Sequence, residues 1–311
     1  MLILELLGTF FGAGFASGRE IASFFARFGI WGYAGALLAS AVMYWLLNTE
    51  IPEEWLGKWP LLLWKTLNIL LLASTGGAML SAAGETVGLV LPIPVAAWWG
   101  MFLTLALSWL LAFHIRKGLA WTSAMMLAVY SVVVMVGFTS LNSEAVTLNQ
   151  TKPIAAISSA ICYSGFNAAL LLPVVSSSPS LLSQKKHSLK LMSMLTLVFL
   201  AAGIVVLHRN PALIDESMPF VKLLNMHGKW GYLLSACCLY MAALSTLTSC
   251  IKNLGRHGRT VIGIVGIALL GFSRIVAYLY TALGGVCTLV ILMAKFRNCS
   301  RKSFISRRDM L

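Results

Sequence analysis

The sequence predicts an all-α polytopic membrane protein with about ten transmembrane helices. They form one unit of two five-helix inverted halves, with broken helices at the first and sixth positions. Three observations carry this expectation. The 311 residues are 59% hydrophobic and only 11% charged, whereas a soluble domain uses about 25% charged residues to clothe its surface. The apolar residues fall into stretches of about 20, the length that crosses a hydrocarbon core of roughly 30 Å. The first and sixth of those stretches are each interrupted by glycine and polar residues.

Mean hydropathy is +0.85, and the spans read 2–26, 30–48, 60–90, 95–114, 119–141, 154–176, 189–207, 229–251, 259–273 and 275–296. The last two form one apolar run interrupted only near Gly271–Arg274. The halves cover about residues 1–141 and 152–296, and a basic tail closes the chain at 297–311. The net charge of +13 would suggest nucleic acid in a soluble protein. Here inward-facing basic loops explain it, because an even span count with both termini inside puts most Lys and Arg residues on the cytoplasmic side. Glu50, Glu53 and Glu54 read as a solvated turn in the first inner loop, and the tail Arg297–Arg308 as an anchor to anionic headgroups. The six cysteines lack CxxC spacing and read as small core residues. No signal-peptide cleavage pattern follows the first apolar run. The five histidines form no HExxH motif, and no paired carboxylates converge by spacing, so no enzyme is expected.

The first span contains Gly8–Glu20, GTFFGAGFASGRE. Each interior glycine costs a helix roughly 1 kcal/mol relative to alanine, and Ser17 favours caps over helix middles. Arg19 and Glu20 then place charge at membrane depth. A helix weakened there is tolerated where its freed backbone groups face protein or a polar cavity, as at a transporter's solute site. Close packing is the competing reading, since Gly8/Gly12 and Gly14/Gly18 are GxxxG pairs. In the third span, Ser74-Thr75-Gly76-Gly77 suits a helix that borders a cavity. Glu85 beyond it is either a proton-linked carboxylate or a residue hydrated at the outer interface. In the sixth span, Tyr163-Ser164-Gly165-Phe166-Asn167 interrupts an apolar run. Breaks in corresponding members of two halves point to an inverted-repeat transporter. In the eighth, Ser245 and Thr246 stand about 100° apart on a helix and offer two neutral oxygens to a hard cation.

GAGFASGREIASFF at residues 12–25 resembles the signature of the YkvI-like membrane proteins, usually written GAGFASGQE. That family is placed in the amino acid–polyamine–cation superfamily, with the fold of the leucine transporter LeuT. The resemblance covers essentially the whole chain in span count, and its specificity rests on the first span. It implies a secondary active transporter of the cell membrane with both termini cytoplasmic. The implied activity is sodium-coupled symport of an amino acid or similar zwitterion, without further cofactor. The sodium ligands it implies are the carbonyls of Gly8, Phe11 and Ala242 with the hydroxyls of Ser245 and Thr246.

The substrate set expected from the residues and the resemblance together is Gly12, Ala13, Gly14, Phe15 and Ser17 from the first span, Thr75 from the third, and Tyr163, Ser164, Gly165, Phe166 and Asn167 from the sixth. Phe166 would act as a lid, amides near Gly14–Ser17 would hold a carboxylate, and sixth-helix carbonyls would hold the ammonium. Arg19, Glu20 and Glu85 are gate or proton-linked candidates. The partners are a small solute and the bilayer, with no nucleic acid. Arg19 departs from the signature's Gln, and only seven residues precede Gly8, which implies either a thin inner half-helix or a start truncated relative to its relatives. Some proton-coupled proteins of this fold use a fifth-helix lysine in place of sodium; the fifth span here has no charge. Proton coupling through Glu20 or Glu85 is the alternative, followed by a solute sensor that does not transport.

Overall fold

A computed structural model describes residues 2–48, 58–91, 93, 95–115, 118–139, 153–177, 182–216, 218–255, 258–280, 282–293 and 295. The acidic loop at Glu50–Glu54 and the basic tail lie outside the described residues. Among the described residues all regular structure is helical. The first span is three pieces, α1 (Leu2–Phe10), α2 (Ala13–Ala16) and α3 (Arg19–Phe24). There follow α4 (Trp31–Leu47), α5 (Lys58–Val90), α6 (Ala96–Phe113), α7 (Gly118–Thr139), α8 (Pro153–Ser177) and α9 (Leu182–Arg209). Then come the short α10 (Pro219–Asn225), α11 (Gly228–Leu254), α12 (Gly258–Ala268), α13 (Phe272–Arg274), a π-helical stretch Ile275–Tyr280 and α14 (Ala282–Met293). Six of these, α5 to α9 and α11, are long and apolar enough to cross a membrane; α4, α12 and α14 are shorter apolar helices.

The helices are built for lipid. In α6, Ala96, Gly100, Thr104 and Ser108 are buried, while Trp98, Trp99, Phe102 and Leu103 are exposed. Small residues four apart face the bundle and large apolar ones face out, which reverses the arrangement of a water-soluble helix. The Thr104 hydroxyl is spent on the Gly100 carbonyl at 2.6 Å, so it exposes no unpaired group to hydrocarbon.

At the centre lies α11, buried continuously from Ala242 to Ile251. It packs on α5, α6, α7 and α10, and α1 packs on α7, α8, α9 and α11. On the far side α4 packs on α8 and α9, and α12 on α5.

The expected break in the sixth span is not there. The helix α8 runs unbroken through Tyr163–Asn167, and the Ser164 hydroxyl and Asn167 amide find partners without a break. Ser164 Oγ donates to Ala160 O at 2.6 Å and lies 3.0 Å from Ala39 O on α4. Asn167 Nδ2 donates to Tyr163 O at 3.0 Å. Gly165 serves close approach: a Cβ there would lie 1.7 Å from Thr288 Oγ1 and 2.9 Å from Thr288 Cα. Gly165→Ala therefore forces α8 and α14 apart. The expected loss is about 1–3 kcal/mol, the usual cost of overpacking, read as a lower melting midpoint of the purified protein. The second irregular stretch falls at the end of the chain instead, where Gly271 adopts φ +85° and the π-helical turns follow.

Candidate functional site

The break in the first helix exposes particular carbonyls. In a continuous helix the Gly12 amide would bond to Gly8 O; here it bonds to Phe10 O at 2.9 Å. The Ala13 amide, which would reach Thr9 O, points to Met79 Sδ at 3.2 Å. The Phe15 amide takes Gly12 O at 3.1 Å in place of Phe11 O. Gly8 O, released from the ladder, accepts from Thr246 Oγ1 at 3.0 Å and Ser245 Oγ at 3.2 Å. Ser245 Oγ also lies 3.1 Å from Ala242 O. A Cβ on Gly12 would stand 3.5 Å from Thr246 Oγ1, so the turn carrying Phe11 adjoins the same oxygens. The structure thus brings together Gly8, Ala242, Ser245 and Thr246, with Phe11 on the adjoining turn. All of these residues are buried. Among the described residues, no group of His, Cys, Asp and Glu could hold a metal ion.

On one side of this oxygen cluster α1 is tied to α11. Thr9 Oγ1 and Ser249 Oγ are 2.6 Å apart, and Lys252 Nζ meets Glu5 Oε1 at 3.2 Å. On the other side Phe220 donates its amide to Ser17 O at 2.9 Å, and Arg19 Nη1 donates to Glu216 O at 3.0 Å. Glu216 also pairs with Lys222. The described contacts hold the first span closed at both ends. Because exposed pairs contribute only about 0–1 kcal/mol, Lys252→Ala is expected to leave the melting midpoint within experimental scatter. In the same variant, labelling of a cysteine introduced beside Glu5 should accelerate. Unchanged labelling would show that the pair does not restrain α1.

The expected anion site does not form as foreseen. The outer half of the first span is split at Gly18 (φ +80°), leaving α2 with four residues and α3 with six. No long half-helix directs its dipole at the break. The turn at Gly18, pressed against the Phe220 ring, folds α3 back so that Glu20 reaches the break itself. A Cβ on Gly14 would lie 2.2 Å from Glu20 Oε1. Gly14 therefore leaves room for a carboxylate of the chain, and Ser17 Oγ closes the turn by donating to Gly14 O at 3.0 Å.

Other expected residues separate. Ser164 is engaged with α4 and Gly165 with α14, as described above. Phe166 stacks on Tyr280 at 4.3 Å. Thr75, Tyr163 and Asn167 are buried beside this layer. Glu85 is exposed; its Oε1 accepts from Ser81 Oγ at 3.2 Å and from the Phe272 amide at 3.3 Å, where it caps α13. Sequence reading did not single out Tyr130 and Tyr280. Both are buried with hydroxyls that lack a hydrogen-bond partner. A tyrosine hydroxyl inside an apolar span was the available signal, since a buried one normally finds a partner.

The chain is similar to YkvI of Bacillus subtilis. The two are 24% identical over 91% of this chain and 87% of that protein, which is described as an uncharacterized membrane protein. No protein-family model matches the chain. The likeness to YkvI, with the apolar helices, makes the chain a multi-pass membrane protein. YkvI's description carries no substrate.

Proposed function

We propose that the chain is a secondary active transporter that moves an amino acid or similar small amine-bearing solute with sodium by alternating access. The observation that carries this is the meeting of Gly8 O, Ala242 O, Ser245 Oγ and Thr246 Oγ1 where the backbone ladder of the first helix is broken. Neutral carbonyl and hydroxyl oxygens suit a hard cation. They come from two different helices, α1 and α11. A cation bound there would favour the state in which α1 lies against α11, and so bias one side's access over the other's.

Packing also favours the reading of two related five-helix halves. Gly8 is to Ser123 on α7 as Gly165 is to Thr288 on α14, with would-be Cβ distances of 1.8 and 1.7 Å. Both hydroxyls bond back to the i−4 carbonyl. The contact of α6 with α11 is likewise matched by that of α12 with α5. The distribution of basic residues supports placement in the cytoplasmic membrane with both termini inside.

A second reading, proton coupling through Glu20, has its own support. That carboxylate is buried with no cationic partner among the described residues. Counterflow in proteoliposomes separates transport from mere binding. Preloaded solute should drive uptake of labelled solute through the transporter, and a sensor would give none.

A further inference from the structure

Glu20 is 4% exposed and forms no ion pair among the described residues, whereas Glu216 pairs with Lys222 and Glu5 with Lys252. Its neighbour Arg19 reaches instead to the Glu216 carbonyl. Around the carboxylate stand three tyrosines from three further elements. Tyr163 on α8 lies beside it, and Tyr130 on α7 and Tyr280 in the π-helical turn lie within electrostatic range. Thr75 on α5 adjoins the Tyr280 hydroxyl, and Asn167 adjoins that of Tyr163. The hydroxyls of Tyr130, Tyr163, Tyr280, Ser74 and Thr75 are all buried and make no hydrogen bond of ideal geometry; that of Tyr163 is within bonding reach of Glu20 and Asn167, and that of Tyr280 of Thr75.

A buried acid with no cationic partner, set among tyrosine hydroxyls that make few hydrogen bonds, is a costly arrangement for a packed core, because each uncompensated polar group carries a desolvation penalty. The groups share one property. Every one of them can accept a hydrogen bond, the hydroxyls can also donate one, and the single acid among them is Glu20, which gains a counter-charge only from a cation. The walls are aromatic: Phe24 and Phe25 lie 5.2 and 5.0 Å from the Tyr163 ring, Phe15 lies 5.4 Å from Tyr130 and Phe166 4.3 Å from Tyr280. Ring faces attract a cation and do not attract an anion. A carboxylate brought here would meet Glu20 as a like charge in a low-dielectric setting.

We propose that the Glu20 carboxylate, with the Tyr130, Tyr163 and Tyr280 hydroxyls, is the recognition point for the protonated amino group of the solute. The substrate class is then small ammonium compounds, with a carboxylate dispensable. The inference rests on the transporter reading for calling that ligand a substrate. It replaces the sixth-helix carbonyls, which the continuous α8 keeps in its own ladder. An ammonium has three donors and no acceptor, so Glu20 and two tyrosines complete it.

The test is thermal stabilisation of the purified full chain by n-butylamine, butyrate and 2-aminobutyrate. The amine and the zwitterion should stabilise saturably and butyrate should not. Glu20→Gln should weaken n-butylamine by roughly 10–100-fold, as for loss of a charged hydrogen bond. If Glu20→Gln does not fold, Tyr163→Phe and Tyr280→Phe give the same reading, with roughly 5–10-fold losses each.

Stabilisation by butyrate, unchanged amine affinity in Glu20→Gln, or no saturable amine effect up to ~50 mM would overturn the proposal. Unchanged amine affinity with lost pH dependence of uptake would assign Glu20 to proton coupling instead. Amine binding that depends on Glu20 without counterflow would leave the site standing and sink the transporter reading.

Discussion

Gly8→Ala is expected to lower the melting midpoint and to abolish sodium dependence in a single step. A Cβ at this position would lie 1.8 Å from Ser123 Oγ, 2.6 Å from Ser123 Cβ and 3.3 Å from Ser123 Cα. Rotating the serine removes only the first of these contacts, and its hydroxyl is already held by Leu119 O at 2.6 Å. The remaining relief is a shift of α1 away from α7. Overpacking of this kind costs about 1–3 kcal/mol, set against a gain of about 1 kcal/mol from replacing glycine in a helix. The functional loss should exceed the stability loss, because the displaced residue is the one whose carbonyl meets Ser245 and Thr246. Gly8→Ala with Ser123→Gly should recover both properties, since it removes the opposing Cβ. If the single variant melts and responds to sodium as the parent does, the close approach of α1 to α7 does not position the oxygen cluster.

The second large effect is expected of Ser245→Ala with Thr246→Ala. Each hydroxyl is buried and bonded to Gly8 O, so the double variant leaves that carbonyl with no donor and removes both hydroxyl ligands of α11, keeping only the Ala242 carbonyl there. A buried acceptor left unsatisfied costs about 1–3 kcal/mol. The variant should therefore be less stable in any salt, and its melting midpoint should be the same in sodium as in potassium. Persistence of a sodium-specific shift would move the cation elsewhere.

The sequence made the first break legible because glycine and serine at membrane depth, followed by Arg19 and Glu20, are hard to reconcile with a plain helix. Ser245 and Thr246 were legible for a local reason too: adjacent hydroxyls on a central helix imply an oxygen-bearing face. The supposed break in the sixth span was not decidable locally. Tyr163–Asn167 reads alike whether glycine permits unwinding or close packing, and the deciding neighbour, Thr288, lies in another helix. The role of Glu20 was hidden for the same reason. Its surroundings include Tyr163 beside it and Tyr130 and Tyr280 within electrostatic range, which come from other helices and are set only by the fold. The reversal of the chain at Gly18, which carries Glu20 back to Gly14, depends on the Phe220 ring lying against it. Charge at membrane depth was visible; its lack of a counter-charge required the fold.

The transporter reading couples solute movement to a cation held between α1 and α11. The most direct measurement is uptake of a radiolabelled amino-acid mixture into proteoliposomes under an inward sodium gradient, compared with an equal potassium gradient. Saturable accumulation above the outside concentration is expected in sodium alone, and is expected to be lost in Ser245→Ala with Thr246→Ala. Equal accumulation in both salts, or flux that never exceeds equilibration, would contradict it.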